Sequence, residues 1–111
     1  MAEQEQIRAA RNQSLYRLVN EKIQPVNQAF TDALDIEGEW ICECADEHCS
    51  EPMRMTLAEY EELRSHANRF AVLPGHLYPE VEDVVGQTDR YLLVEKIGKA
   101  GEIATETDPR R

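Results

Sequence analysis

The chain has 111 residues, of which 41% are hydrophobic and 31% are charged, and this size and composition are typical of one small globular domain. No stretch approaches the roughly 18 consecutive apolar residues of a membrane span, and the N-terminus lacks the apolar core of a secretion signal, so we expect a cytoplasmic protein that binds no membrane. Twelve basic and twenty-two acidic residues give a formal net charge of −10. This charge opposes binding to the phosphates of a nucleic acid.

The N-terminal segment, residues 1–34, has the periodicity of a long amphipathic helix. Its stripe can pack on the rest of the protein or pair with a partner helix, and packing is the more common arrangement. Pro25 lacks an N–H and clashes with the preceding turn, so it predicts a kink or a break in this helix. The apolar residues recur every three or four positions as Leu15, Val19, Ile23, Val26 and Phe30, broadened by Ile7, Tyr16 and Leu18.

Residues 35–98 are predicted to form the body of the domain, a small antiparallel sheet with a short helix. An acidic loop over 35–39 precedes an alternating strand that places Trp40, Cys42 and Cys44 on one face. A second strand near Met53 to Leu57 completes a hairpin around the cysteine loop.

The second half of the body carries local start and stop signals. Thr56 and Glu59 have the spacing of a capping box, which predicts a short helix from that point. A strand over 70–73 ends at the turn Pro74-Gly75. Segment 81–85 fits either a helical turn or a strand, and we favour a strand because a turn cluster over 86–89 separates it from the strong strand over 91–97, which would make a hairpin. Residues 99–111 are polar and are expected to form a mobile tail. The predicted fold class is therefore α+β, in a single domain.

All three cysteines, Cys42, Cys44 and Cys49, fall within eight residues. A cytoplasmic chain has little use for disulfides, and an odd number leaves one thiol over, so this clustering favours a metal site. The neighbouring carboxylates oppose a free thiolate, whereas a bound Zn²⁺ deprotonates the thiols itself. Three reduced cysteines that merely pack together are the simpler alternative.

A structural zinc site needs a fourth N or S ligand, most plausibly a histidine. His48 adjoins Cys49, where neighbouring side chains usually diverge, and His66 lies at the frayed end of the predicted helix. His76 follows Pro74-Gly75, a turn that can bring a distant residue back over the hairpin. We therefore predict one zinc ion held by the three cysteines and His76, with His48 as the other possible fourth ligand.

The chain resembles a family of small, acidic, uncharacterised proteins associated with high-GC Gram-positive bacteria. The matching segments cover most of residues 40–110 and include C-E-C with Cys49, L-A-E-Y-E, R-F-A-V-L-P-G-H and T-D-P. In that family the C-x-C-x4-C and P-G-H elements occur together, and a non-ligand usually occupies the place of His48. The resemblance thus implies that His76 is the fourth ligand, but it implies no activity.

These observations favour a binding module with a structural zinc ion over an enzyme. An acidic surface selects a protein partner with a basic surface, and a regulatory role is a guess from size and charge. A zinc-thiolate redox sensor is the main alternative, since it needs the same ligands. A zinc hydrolase is less favoured, because it requires a water in place of one protein ligand. No nucleotide, peptidase or esterase motif is present, so we assign no catalytic residue.

Overall fold

The chain folds as an α+β protein, as predicted, with one long helix, two small antiparallel sheets and two short helices. The structure is a computed structural model that describes residues 3–31 and 36–110. In chain order the elements are α1 (Glu3–Thr31), β1 (Gly38–Ile41), β2 (Pro52–Met55), α2 (Leu57–Arg64), β3 (Arg69–Val72), β4 (Glu82–Gln87), β5 (Leu92–Lys96) and α3 (Gly98–Glu106).

Two hairpins account for most of the strand pairing. β1 pairs with β2 around the cysteine loop, with Trp40 opposite Met53. In the second sheet β5 lies between β3 and β4, and the β4–β5 pair contains an irregularity between Val84 and Gly86. Both predicted hairpins are confirmed. The first strand is shorter than predicted, because β1 ends at Ile41 and leaves residues 42–44 outside the ladder.

Helix α2 begins where the sequence predicts it. The Thr56 hydroxyl accepts from the Glu59 N–H at 3.1 Å, and the Glu59 carboxylate accepts from the Thr56 N–H at 2.9 Å, which is the reciprocal capping box. From this helix Tyr60 stacks on Trp40 of β1, with ring centroids 3.9 Å apart. The stack joins α2 to the first hairpin in the core.

The buried side of α1 is polar, which corrects the predicted apolar stripe. Leu15, Val19 and Val26 are exposed, while Tyr16 and Ile23 are partly buried against the core. The side chain of Phe30 lies outside the described residues. The helix turns this polar side inward because it faces backbone groups of the cysteine segment and of α3 that require hydrogen-bond partners. The fully buried residues on this side are Ala10, Gln13, Arg17 and Asn20.

Helix α1 continues through Pro25, so the predicted interruption does not occur, and a bend at that position stays a prediction. Side-chain hydrogen bonds from residues on both sides of Pro25 hold the helix against β1 and offset the backbone hydrogen bond that the proline cannot make. Asn20 exchanges hydrogen bonds with Ile41, and the Asn27 amide donates to the carbonyl of Glu39 at 3.1 Å. Of the predicted loop over 35–39, position 35 lies outside the described residues and β1 already begins at Gly38.

The C-terminal segment contains a helix, where the sequence predicted only a polar tail. Helix α3 packs Ala100 and Ala104 inward, and Arg17 of α1 donates to the Ala104 carbonyl at 2.8 Å. Beyond α3, Asp108 pairs with Arg64 and Arg110 pairs with carboxylates of α1 and α2. The sequence does not predict this helix because its buried residues are alanines, which pack closely but do not form a stripe of large apolar side chains.

A membrane-spanning helix is not found among residues 3–31 and 36–110: none of these helices combines the length and the apolar character that a span requires.

Candidate metal centre

The structure brings together the four side chains that the sequence analysis singled out. The sulfur atoms of Cys42, Cys44 and Cys49 and a ring nitrogen of His76 all lie within 4.8 Å of one another. The three cysteines are buried, with at most 7% of their surface exposed, and His76 is half-buried. No disulfide joins the cysteines.

Backbone hydrogen bonds hold the two ends of the cysteine loop, at Cys42 and at Cys49. Cys42 directly follows β1, and its N–H donates to the Glu51 carbonyl at 2.9 Å, which continues the hairpin for one more bond. The loop then closes on itself, since the Cys49 N–H donates to the Asp46 carbonyl at 3.1 Å. The three thiols are thereby held on one side of a tight loop between the strands of the hairpin.

His76 reaches the cysteines through the turn that follows β3. Gly75 has φ +87°, a left-handed conformation that residues with a side chain rarely adopt. The His76 N–H donates to the Leu73 carbonyl at 3.0 Å and closes this turn. The Leu73 N–H in turn donates to the sulfur of Cys42 at 3.2 Å, a contact that stabilises a thiolate.

The distances within the cluster match a tetrahedral zinc site. The Nδ1 atom of His76 lies 3.6 Å from the Cys42 sulfur and 3.7 Å from the Cys49 sulfur. A tetrahedral ion with Zn–S bonds of about 2.3 Å and a Zn–N bond of about 2.0–2.1 Å sets S···N separations of about 3.6 Å. The separations of His76 from Cys42 and Cys49 therefore match those that an ion would impose, and all other pairs of ligand atoms lie within 4.8 Å.

Without a cation, the thiols compete for protons. Hydrogen bonds from Cys42 and from His76 lower the pKa of Cys44 to about 5. The hydrogen bond between the two thiols, together with burial, raises the pKa of Cys42, and burial raises the pKa of Cys49. One thiolate therefore disfavours the next, and a divalent cation is the species that makes three adjacent thiolates compatible.

The inner side of α1 holds the cysteine loop by side-chain hydrogen bonds to its backbone. Asn20 bonds both the carbonyl and the N–H of Ile41 at 2.9 Å, and the Gln13 amide donates to the Glu43 carbonyl at 3.2 Å. Asn12 donates to the Ala45 carbonyl at 3.0 Å and Tyr16 to the Asp46 carbonyl at 2.9 Å. Three turns of the helix thus fix the backbone that carries Cys42 and Cys44.

Glu43 lies between two ligand cysteines in sequence, yet its carboxylate points into the protein. It is fully buried, and it accepts from the Asn20 amide at 2.9 Å and from the Ala71 N–H of β3 at 3.1 Å. Burial raises the pKa of this carboxyl. Glu43 therefore fastens the loop to α1 and β3. The sequence alone shows Glu43 only as one of the carboxylates next to the thiols, because its partners Asn20 and Ala71 are distant in the chain.

An open cleft of about 410 Å³ adjoins one edge of the cluster. Cys44 and His76 line it together with Asp46 and Tyr78, whereas Cys42 and Cys49 do not. Small molecules in solution can therefore approach the half-buried His76 from this edge, whereas only 1% of Cys44 is exposed.

The other two histidines lie away from the cluster. The His48 side chain is 86% exposed and lies 3.6 Å from the carboxylate of Glu47. His66 follows the C-terminal end of α2 and lines a separate depression with Glu62 and Arg69. Among the described residues, His76 is therefore the histidine that the fold presents to the three cysteines.

Comparison with known proteins provides no further assignment. No family model, no curated protein and no solved structure matches the chain. The resemblance to the small acidic bacterial proteins therefore stays a prediction.

Proposed function

We propose that the chain is a zinc-binding protein in which Cys42, Cys44, Cys49 and His76 hold one structural zinc ion. The observation that carries this proposal is the approach of all four ligand atoms to within 4.8 Å of one another. Sulfur-rich donor sets select soft or borderline cations, and a tetrahedral S₃N set is a common structural zinc site. Bound zinc would supply charge neutralisation and a cross-link between the cysteine loop and the turn after β3.

Four protein ligands leave no coordination position for a water molecule, which supports a structural role over hydrolysis. The ion would tie together segments that are 34 residues apart in the chain, from Cys42 to His76. Structural zinc typically contributes on the order of 10 kcal/mol to folding, comparable with the entire stability of a small domain. Removal of the metal is therefore expected to unfold the loop or the whole protein.

The biological role proposed for this zinc-stabilised fold is binding to another protein. The chain is small and strongly acidic, with a net charge of −10, and its long-range field attracts basic partners and repels nucleic acids. A regulatory role is compatible with a binding module of this size and needs no catalytic group.

The metal proposal is tested by elemental analysis of untagged protein purified without chelators. We expect about one zinc per chain, and less than about 0.2 equivalents would leave only packed thiols. The binding role is tested by affinity capture from the source cell with the wild type and with His76→Ala. A genuine partner is retained by the wild type and by the matched control His48→Ala, and it is lost with His76→Ala.

A zinc-thiolate redox sensor is a second candidate, and the cleft at Cys44 is the observation that favours it. Because only 1% of Cys44 is exposed, a small peroxide in the cleft would reach that sulfur when the loop opens locally. It would oxidise the sulfur to a sulfenic acid and leave as water or an alcohol. A second cysteine thiol would then displace water from the sulfenic acid to form a disulfide, and the metal would be released. Zinc release at low peroxide concentrations, reversed by a thiol reductant, would support the sensor over the purely structural site.

A further inference from the structure

The outer face of α1 is apolar and remains uncovered by the described part of the chain. Leu15 is 60% exposed, Leu18 41%, Val19 38% and Val26 56%. Leu18 and Val19 follow Leu15 by three and four positions, and Val26 follows Val19 by seven, so all four share one side of the helix, opposite the polar side that holds the cysteine loop. Contiguous exposed apolar residues of this kind mark interaction sites more often than scattered single ones do.

The charges on this face are positive, in contrast to the rest of the protein. Arg11 and Lys22 are exposed within the same stripe. Within residues 3–31 and 36–110 neither has a carboxylate partner, and no acidic side chain lies between them on this face. Of the other nine cations in the described part of the chain, five are paired with carboxylates, namely Arg64, Arg90, Lys96, Lys99 and Arg110.

We propose that this outer face of α1, defined by Arg11, Leu15, Leu18, Val19, Lys22 and Val26, binds an amphipathic helix of another protein that carries acidic residues beside its apolar stripe. From Arg11 to Val26 the face is about 22 Å long at 1.5 Å per residue, enough for about four turns of a partner helix. A convex helix surface of this kind packs by fitting its ridges into the grooves of a second helix. The inference rests on the proposed role as a binding module, whose fold the metal is proposed to stabilise, but none of the four metal ligands lies on this face.

Local charge determines which partner fits. The partner proposed above is basic as a whole, and the net charge of −10 acts on its approach. At the contact itself charges farther than about 8 Å are largely screened, so the two cations on this face select acidic residues in the helix that docks there. A second copy of the chain would bring Arg11 and Lys22 of both molecules together without a carboxylate between them. An acidic, apolar helix satisfies both the apolar and the charged residues.

The test uses the zinc-loaded full chain and a fluorescent synthetic helix with a leucine stripe flanked by glutamates. A matched peptide carries lysine in place of every glutamate. Fluorescence anisotropy should give an affinity at least about tenfold higher for the glutamate peptide, and this difference should nearly vanish at about 1 M salt, where the Debye length is about 3 Å. The double variant Arg11→Glu/Lys22→Glu should invert the preference.

Leu18→Asp should abolish binding of the glutamate peptide. Val84→Asp changes an apolar residue of similar exposure on β4 and should leave the affinity for this peptide unchanged. Equal binding of the two peptides, or no binding of either, would overturn the proposal. Concentration-dependent dimerisation that Leu18→Asp removes would assign the face to a second copy, and binding to vesicles of phosphatidylglycerol would assign it to a membrane; both contradict the proposal. Zinc content is measured on the same samples, so failure here is distinguishable from failure of the metal site.

Discussion

Replacement of His76 by alanine is the sharpest perturbation of the proposed site. His76 contributes the only nitrogen among the four clustered ligand atoms and approaches two of the sulfurs at 3.6 and 3.7 Å. Its removal opens one vertex of the tetrahedron and frees the turn after Pro74-Gly75 from the cysteine loop. His48→Ala is the matched control, because that side chain is 86% exposed and lies outside the cluster.

The expected magnitudes differ enough to separate the two variants. If four ligands share a metal contribution on the order of 10 kcal/mol, the loss of one removes about 2–3 kcal/mol. For a domain of this size the melting temperature changes by roughly 4 °C per kcal/mol, so His76→Ala should melt about 10 °C below the wild type. An exposed histidine contributes within about 0.5 kcal/mol, so His48→Ala should change the melting temperature by about 2 °C at most.

Thermal unfolding followed by circular dichroism, with and without a chelator, measures both effects. The chelator should lower the melting temperature of the wild type and of His48→Ala, and it should reduce the difference between these proteins and His76→Ala. If His48→Ala loses zinc while His76→Ala keeps it, the assignment of the fourth ligand is wrong. If both keep it, a carboxylate or a water completes the tetrahedron, and a reactive site becomes the better explanation.

Three further outcomes are expected. Asn20→Ala removes one of the two hydrogen bonds to the buried carboxyl of Glu43 and both side-chain bonds to the backbone of Ile41. It should lower the free energy of unfolding by about 3 kcal/mol in urea titrations, whereas the exposed Gln28→Ala should change it by less than about 0.5 kcal/mol. Arg90 holds the pKa of Glu59 at about 2, below its ordinary value of 4.5, so this carboxylate stabilises the fold above pH 4.5 and loses that contribution as the pH falls towards 2. Glu59→Gln should therefore be less stable than the wild type at neutral pH, and a gap in melting temperature that fails to narrow in acid would contradict this assignment. Nucleic acids should not bind in filter or anisotropy assays, and a salt-sensitive affinity tighter than micromolar for any oligonucleotide would refute the argument from net charge.

Local sequence signals predicted much of this fold and the cluster, because short-range chemistry determines them. The capping box at Thr56 and Glu59 and the turn at Pro74-Gly75 depend on residues within three or four positions of one another. The close spacing of the cysteines likewise required no knowledge of the tertiary structure. The choice of His76 over His48 followed from the divergence of adjacent side chains, which operates within a single dipeptide.

The orientation of α1 was not predictable by the same means. Rules of hydrophobic periodicity assign Leu15 and Val19 to the core and treat Gln13, Arg17 and Asn20 as solvent-facing. The structure reverses this, since the inward side must pair with backbone groups that become its neighbours only after folding. One signal was available, because Gln13, Arg17, Asn20 and Asn27 recur at helical spacing and so define a polar side as regular as the apolar one.

Helix α3 at the C-terminus was not predicted, for a different reason. Ala100 and Ala104 are four positions apart and face α1, but alanine gives no strong apolar periodicity. Two glycines in this segment also lower its intrinsic helix propensity. The helix forms because Arg17 donates to the Ala104 carbonyl at its end, a contact between residues 87 positions apart that a local pattern cannot encode.

Zinc-edge X-ray absorption of the purified, untagged protein tests the central proposal most directly, because it counts the atoms bound to the metal. The proposed site predicts about one zinc per chain with three sulfur neighbours at about 2.3 Å and one nitrogen neighbour at about 2.0–2.1 Å. The imidazole contribution should disappear in His76→Ala and persist in His48→Ala. Protein without zinc, or zinc surrounded mainly by oxygen, would contradict the account.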